Sequence, residues 1–274
     1  NMEHDACGVG LVVSTEGKKS RKIVEYGIEA LKAVWHRGAV DADGKTGDGA
    51  GIHVEISRDF FKEKIENYGR KYDGGEICVG MIFLPRNDYN AQEKCKTLIE
   101  TELLNNNFYI YRWRQVPINT SVLGVKAELT RPEIVQVIFK SNDKKLKFKE
   151  LERQLYVIRR TVEKKALNSR LKDFYICSFS SKSIIYKGMF LAETLSDFYP
   201  DLKDKRFRQA LSYAVNREEI VKYISRGEQI PAFSFSPPDP SNFYPSTNLE
   251  FNPSKSKELF IEMGYGMNKK LPKL

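Results

Sequence analysis

Apolar residues run almost without interruption over positions 8–14, as in a strand covered on both faces, and the polar cluster at 15–21 follows as a turn. Val24, Ile28, Leu31 and Trp35 then recur at spacings of four, three and four, which predicts a helix over 21–35 with these residues on one face. His36-Arg37-Gly38 closes it. Ile52, Val54 and Ile56 alternate with His53, Glu55 and Ser57 in the pattern of a half-buried strand, and 77–84 reads as an apolar strand stopped by Pro85. Asp88 or Asn90 can cap a helix running to about 104, where Asn105-Asn106-Asn107 ends it. Further strands are predicted over 108–116, 134–139, 174–179 and 183–186. Leu151, Leu155, Ile158 and Val162 predict a helix over 149–166, and another begins near Met189. Strands outnumber helices but both recur, which favours an α+β layered domain over an alternating βαβ sheet.

Near Asp201 the character shifts. A single amphipathic helix is predicted over 207–224, a proline-stiffened stretch over 236–240, and a helix that starts at Asn252-Pro253 and ends at Gly264.

The 274 residues, 41% of them hydrophobic, are enough for one large core or two modest ones. A net charge of +9 raises the question of an acidic partner. The densest basic stretch, Lys144-Lys145-Leu146-Lys147-Phe148-Lys149, leads into a helix whose cations alternate with Glu152 and Glu163. That is the pattern of a solvated helix face, and no nucleic-acid motif accompanies it, so neither nucleic acid nor membrane is expected as a partner. The four cysteines are far apart and lack Cys-x-x-Cys spacing, which suits reduced thiols in a cytoplasmic protein. Clustered metal ligands are missing as well, so no zinc or iron-sulfur cofactor is expected in this chain. No apolar run approaches the roughly 20 residues of a membrane span, and the polar stretch 1–6 is not a signal peptide.

Three short motifs carry the candidate chemistry: Cys7-Gly8-Val9-Gly10, His36-Arg37-Gly38 and Thr46-Gly47-Asp48-Gly49-Ala50-Gly51. The last lacks the Gly-Lys-Ser/Thr ending of a phosphate loop and does not precede a helix. A cysteine at a chain start carries both a thiol and an α-amine of pKa near 7.7–8.0, which can take the thiol proton without any histidine. In Cys7 that amine is bonded to Ala6, so cleavage of Ala6-Cys7 would be an activation step. On its own, Cys7 would read as a buried, inert thiol.

In order, the three motifs resemble the amino-terminal glutaminase domain of glutamate synthase, a class II glutamine amidotransferase of the N-terminal-nucleophile hydrolase superfamily. The resemblance continues through Trp113-Arg114-Gln115-Val116-Pro117, Leu123-Gly124, Pro132 with Gln136-Val137, Leu155 to Arg160, Ser178-Phe179-Ser180-Ser181 and Tyr186-Lys187-Gly188-Met189. It implies a four-layer αββα fold, removal of residues 1–6 as a leader, and a γ-glutamyl thioester on Cys7 with release of ammonia. Arg37 matches an arginine close to the nucleophile, though a helix-end cation satisfying carbonyls fits it too. Gly38 and Gly49 match backbone at the substrate site. Asp48 fits either a ligand contact or a turn-forming aspartate. Glutamine is the implied small-molecule substrate; flavin, iron-sulfur clusters and 2-oxoglutarate belong to glutamate synthase domains this chain does not contain.

After Phe198-Tyr199-Pro200-Asp201-Leu202 the resemblance implies an arginine motif that clamps the glutamine carboxylate and an Asn-Gly oxyanion element, and this sequence carries neither. Residues 204–274 instead resemble a piece of the peptide-binding proteins of ABC importers, through Asp204 to Glu218, Ser236-Pro237-Pro238 and Asn252-Pro253. The expected organisation is therefore a leader over 1–6, an incomplete amidotransferase domain over 7–203 and a small helical appendage over 204–274. Impaired catalysis is therefore expected; the alternatives are a nonfunctional hybrid, a non-catalytic binding fragment and, last, a peptide-binding transport component.

Overall fold

A computed structural model describes residues 8–17, 19–143, 145–203, 206–224, 250–263 and 265. The chain divides into two compact units, Asn1–Leu202 and Lys203–Leu274.

The first unit is α+β. Its elements are α1 (Arg21–Ala33), β1 (Ala50–Glu55), α2 (Arg58–Glu66), β2 (Cys78–Leu84), α3 (Tyr89–Asn105), β3 (Phe108–Gln115), α4 (Val125–Thr130), β4 (Glu133–Ser141), α5 (Phe148–Asn168), β5 (Tyr175–Ser180), β6 (Ser183–Gly188) and α6 (Leu195–Phe198). The strands form two antiparallel sheets, one of order β3-β4-β2-β5 and one pairing β1 with β6. Six strands among the described residues are fewer than the helical segments, contrary to the sequence expectation.

Strand periodicity divides the core in two. Cys78, Ile82 and Leu84 of β2 and Val135, Val137 and Phe139 of β4 point to one face of the four-stranded sheet, where α3 and α5 close over them. Helix α3 starts where Asp88 accepts a hydrogen bond from Ala91 N at 2.9 Å, and α5 buries Leu151, Leu155, Ile158, Val162 and Ala166. The intervening residues Val79, Met81, Ile134 and Ile138 face the other way and join Ile184 and Tyr186 of β6, Phe61 and Ile65 of α2, and Ile28 of α1.

Several expectations are corrected. Residues 8–14 form no strand, and Val9, Leu11 and Val13 are 94%, 85% and 66% exposed. Apolar content alone cannot make a strand; it needs a paired edge, and β1 pairs with β6 alone. Trp35 is exposed because α1 stops at Ala33 and the chain tightens into a 3₁₀ turn, Trp35–Arg37, which carries it off the apolar face. Helices α2 and α4 have no counterpart in the sequence reading, each being too short for a repeated apolar period. The helix expected near Met189 is reduced to two turns, Ala192–Thr194 and α6.

In the second unit, the helix predicted over 207–224 is broken into α7 (Arg206–Ala214), a turn α8 (Arg217–Glu219) and the wider turn Ile220–Ile224. Asn216 interrupts it, its side chain accepting from Glu219 N at 3.2 Å and starting a new cap. Helix α9 (Pro253–Glu262) begins with the Asn252 side chain accepting from Lys255 N at 2.9 Å and Pro253 in the first turn. It meets α7 through Ser256, whose buried hydroxyl donates to Ala210 O at 2.7 Å. The stretch 236–240 and Gly264 lie outside the described residues.

Candidate functional site

After the turn Trp35–Arg37, Gly38 N donates to Trp35 O at 3.0 Å and the chain turns extended into a hairpin-like loop. Asp41 N donates to Thr46 O at 2.8 Å and Asp48 N to Ala39 O at 3.2 Å, so residues 39 and 48 come side by side. Asp43 holds the tip. Its carboxylate accepts from Lys45 N at 3.0 Å, Thr46 N at 2.7 Å and the Thr46 hydroxyl at 2.6 Å, and these bonds hold the carboxyl well below the usual range.

Two contacts fix this hairpin to α4. Thr46 is buried and its hydroxyl accepts from Ala127 N at 3.3 Å, while Lys126 Nζ stands 2.7 Å from Asp41 Oδ2. The hydrogen bond from Lys126, followed by that from Ala42 N, lowers the Asp41 pKa. Sequence reasoning singled out neither Asp43 nor Lys126. The available signal was an aspartate three residues before a threonine, the spacing at which a short carboxylate caps its own turn.

The glycines of the motif serve close packing. A Cβ on Gly47 would lie 2.5 Å from Phe190 O, and Gly49 has φ +127°, a conformation L side chains rarely adopt. The loop thereby lies against the chain that leaves β6.

Among the predicted site residues, Gly38, Asp48 and Gly49 are brought together: a Cβ on Gly38 would stand 3.4 Å from Asp48 Oδ1. Asp48 is exposed, and its carboxylate has no hydrogen-bond or ion-pair partner among the described residues. The turn-forming role considered for it belongs to Asp43. The backbone of Arg37 lies in the 3₁₀ turn that precedes Gly38, and its side chain is outside the description, as are Ala6 and Cys7.

The remaining family-like motifs converge on scaffold. Arg114 is buried and donates to Gln136 Oε1 at 2.7 Å and to Asp201 Oδ1 at 2.9 Å, beneath the Phe60 ring. Asp201 Oδ2, also 2.9 Å from Arg114 Nη2, makes no hydrogen bond. Tyr199 packs its ring 5.1 Å from that of Tyr186 and donates its hydroxyl to Lys187 O at 2.8 Å. Glu152 of α5 accepts from Ser181 N, the Ser181 hydroxyl and the Ser180 hydroxyl at 2.8, 2.7 and 2.9 Å, pinning the turn between β5 and β6.

The described thiols are not activated nucleophiles. Burial pushes Cys95 and Cys177 up to about 11 and raises Cys78 further, so all three stay protonated at neutral pH. Among the described residues, no three His, Cys, Asp or Glu side chains are grouped to hold a metal ion, and no helix is long and apolar enough to cross a membrane. A cavity of about 640 Å³ opens beside Gly49, bounded by β1, β6 and α4.

The model of the class-II glutamine amidotransferases matches residues 7–218. The large chain of NADPH glutamate synthase from Azospirillum brasilense is 57% identical over 205 residues, covering 75% of this chain and 14% of that protein. The ferredoxin-dependent glutamate synthase of Pyropia yezoensis is 38% identical over 214 residues, covering 77% and 14%. The chloroplastic ferredoxin-dependent enzyme of Spinacia oleracea is 37% identical over 207 residues, covering 75% and 13%. The chain thus spans about one seventh of the length of these relatives.

Proposed function

Since this chain belongs to the class-II glutamine amidotransferases, we propose that its chemistry is the hydrolysis of glutamine through Cys7, supplying ammonia to the rest of a glutamate synthase. The observation that carries this reading is that the family match begins at Cys7, not at the residues before it. Cleavage of the Ala6-Cys7 bond frees an α-amine that accepts the thiol proton. The thiolate attacks the side-chain carboxamide carbon, and the tetrahedral intermediate collapses as ammonia leaves with that proton. Water then hydrolyses the γ-glutamyl thioester, returning the thiol and releasing glutamate. Arg37 stands in the turn that leads to the loop, where Gly38 comes beside Asp48 and Gly49. Asp48 is the group suited to the substrate ammonium, because its carboxylate is exposed and engaged by no other described side chain. The chain needs no cofactor of its own for this half-reaction, and its reduced, buried thiols fit a cytoplasmic setting.

Turnover by this chain is proposed to be weak. The carboxylate-clamping arginine motif and the Asn-Gly oxyanion element do not follow Leu202 here, and loss of a single oxyanion donor costs roughly 100- to 1,000-fold in rate. We read residues 204–274 as a segment of different origin, supported by its resemblance to peptide-binding proteins; the family match runs on to residue 218 and so covers its beginning. Reading the source DNA across codons 203–207 decides whether the two parts are continuous.

The functional test couples intact mass to ammonia release. Loss of residues 1–6 with slow release that disappears in Cys7→Ser is the expected result. A processed chain turning over at an ordinary enzymatic rate, on the order of 10 per second, would overturn the impairment. A processed chain whose ammonia release survives Cys7→Ser would overturn the nucleophile.

A further inference from the structure

The cavity beside Gly49 is of a size that takes a small molecule. Phe83, Ile134, Ile185, Met189 and Phe190 make its walls largely apolar, and two cations, Arg131 and Lys187, stand among them. Arg131 is already compensated, with Nε 3.1 Å from Glu128 Oε2. Lys187 is not. It is half-buried, and among the described residues no carboxylate lies within ion-pair distance of its Nζ. The amine instead donates to the Tyr175 hydroxyl at 3.0 Å and sits 4.3 Å from the centre of that ring.

Geometry locates this charge. Tyr175 packs 5.9 Å from Phe83, a wall residue, so the ammonium stands at the Phe83 end of the cavity. Its stem lies across β1 at Gly51, its partner in register, where a Cβ would come within 2.8 Å of the Lys187 Cβ. Bare backbone at Gly51 is what lets the lysine occupy this position. A partly desolvated ammonium with no counter-ion is costly, and an anion placed beside it would gain a charge-assisted hydrogen bond.

We propose that this cavity is a binding site for a small amphipathic monoanion, an alkyl or aryl carboxylate. The carboxylate pairs with Lys187 Nζ beside the Tyr175 hydroxyl, and the apolar part lies against Phe83, Ile134, Ile185 and Phe190. One cation without a counter-ion among the described residues, in a largely apolar space, selects a single negative charge. The site does not depend on glutamine hydrolysis, and binding is expected to persist in Cys7→Ser.

Isothermal titration calorimetry of the full chain with octanoate and with neutral 1-octanol tests this. Octanoate is expected to bind saturably and 1-octanol about tenfold more weakly, the factor that corresponds to one charge-assisted hydrogen bond. Lys187→Met is expected to bring octanoate down to the level of 1-octanol while leaving 1-octanol unchanged. In the unmodified protein, the Met189 methyl resonance is expected to shift with the same saturation curve, which keeps the test independent of whether the variant folds. Equal affinity for the two ligands, full octanoate affinity in a folded Lys187→Met, or a Met189 signal indifferent to octanoate would each overturn the proposal.

Discussion

On one face of the four-stranded sheet, Cys95, Ile99 and Leu103 of α3 meet Leu155 and Val162 of α5 with no exposed surface left. On the other face, the core shares its space with a buried ion pair, a cavity of about 640 Å³ and a sheet of only two strands. The difference follows from the covering elements. Two long helices with repeated apolar spacing close the first face; the second depends on short helices, a hairpin loop and the residues before Leu202. Long periodic elements supply packing, whereas short ones leave room for sites.

The sharpest test of the contrast is Arg114→Leu. Removing one partner of a buried pair leaves Asp201 uncompensated, and a loss of about 4 kcal/mol is expected in urea unfolding. Adding Asp201→Leu should recover most of it. A single-variant loss below about 1 kcal/mol would show that the ion pair does not hold the open face together.

On the closed face, Leu155→Ala should cost about 3 kcal/mol, from lost transfer energy and the cavity left behind. A cost under about 1 kcal/mol would mean that this core collapses around the gap. The opposite change on the open face is expected to help: Ala127→Leu fills existing space and should stabilise by about 0.5–1 kcal/mol. Destabilisation of more than about 1 kcal/mol would mean the space is already packed.

The smallest effect is electrostatic. The hydrogen bond from Lys140, then that from the Tyr111 hydroxyl, holds the Asp73 carboxyl at about 2, against an unfolded value near 3.9. Its contribution is therefore fully present above pH 4 to 5 and is lost as pH falls through 2. Solvent screening at the exposed Asp73 carboxylate reduces it to a few tenths of a kcal/mol. The stability gap between the protein and Asp73→Asn should close over that window; a gap that widens on acidification would contradict the assignment.

Where an element carried its own instructions, the sequence was a good guide. Asp88 caps α3 as its side-chain chemistry predicts, and Leu151, Leu155, Ile158 and Val162 are buried as their spacing predicts. The failures share a cause. Residues 8–14 have strand-like composition and pair with no strand; Trp35 keeps its spacing but loses the helix; Asn216 competes for the backbone and breaks a helix whose apolar pattern continues. At the candidate site, the glycine motif was evident from the start. That Asp43, rather than Asp48, shapes its turn depends on which carboxylate reaches Thr46.

By itself the sequence determined the family, the long helices, most of the apolar strands and the positions of Cys7, Arg37 and the glycine loop along the chain, because local spacing and ordered motifs encode these directly. Only the tertiary structure decided that Arg114, Gln136 and Asp201 form one buried cluster, that Gly47 is required by Phe190, and that Lys187 faces an apolar cavity without a counter-ion. These partners lie 22 to 143 positions apart. Hydrogen bonds, close approaches and missing counter-ions are properties of distances in space, and no local pattern along the chain specifies them.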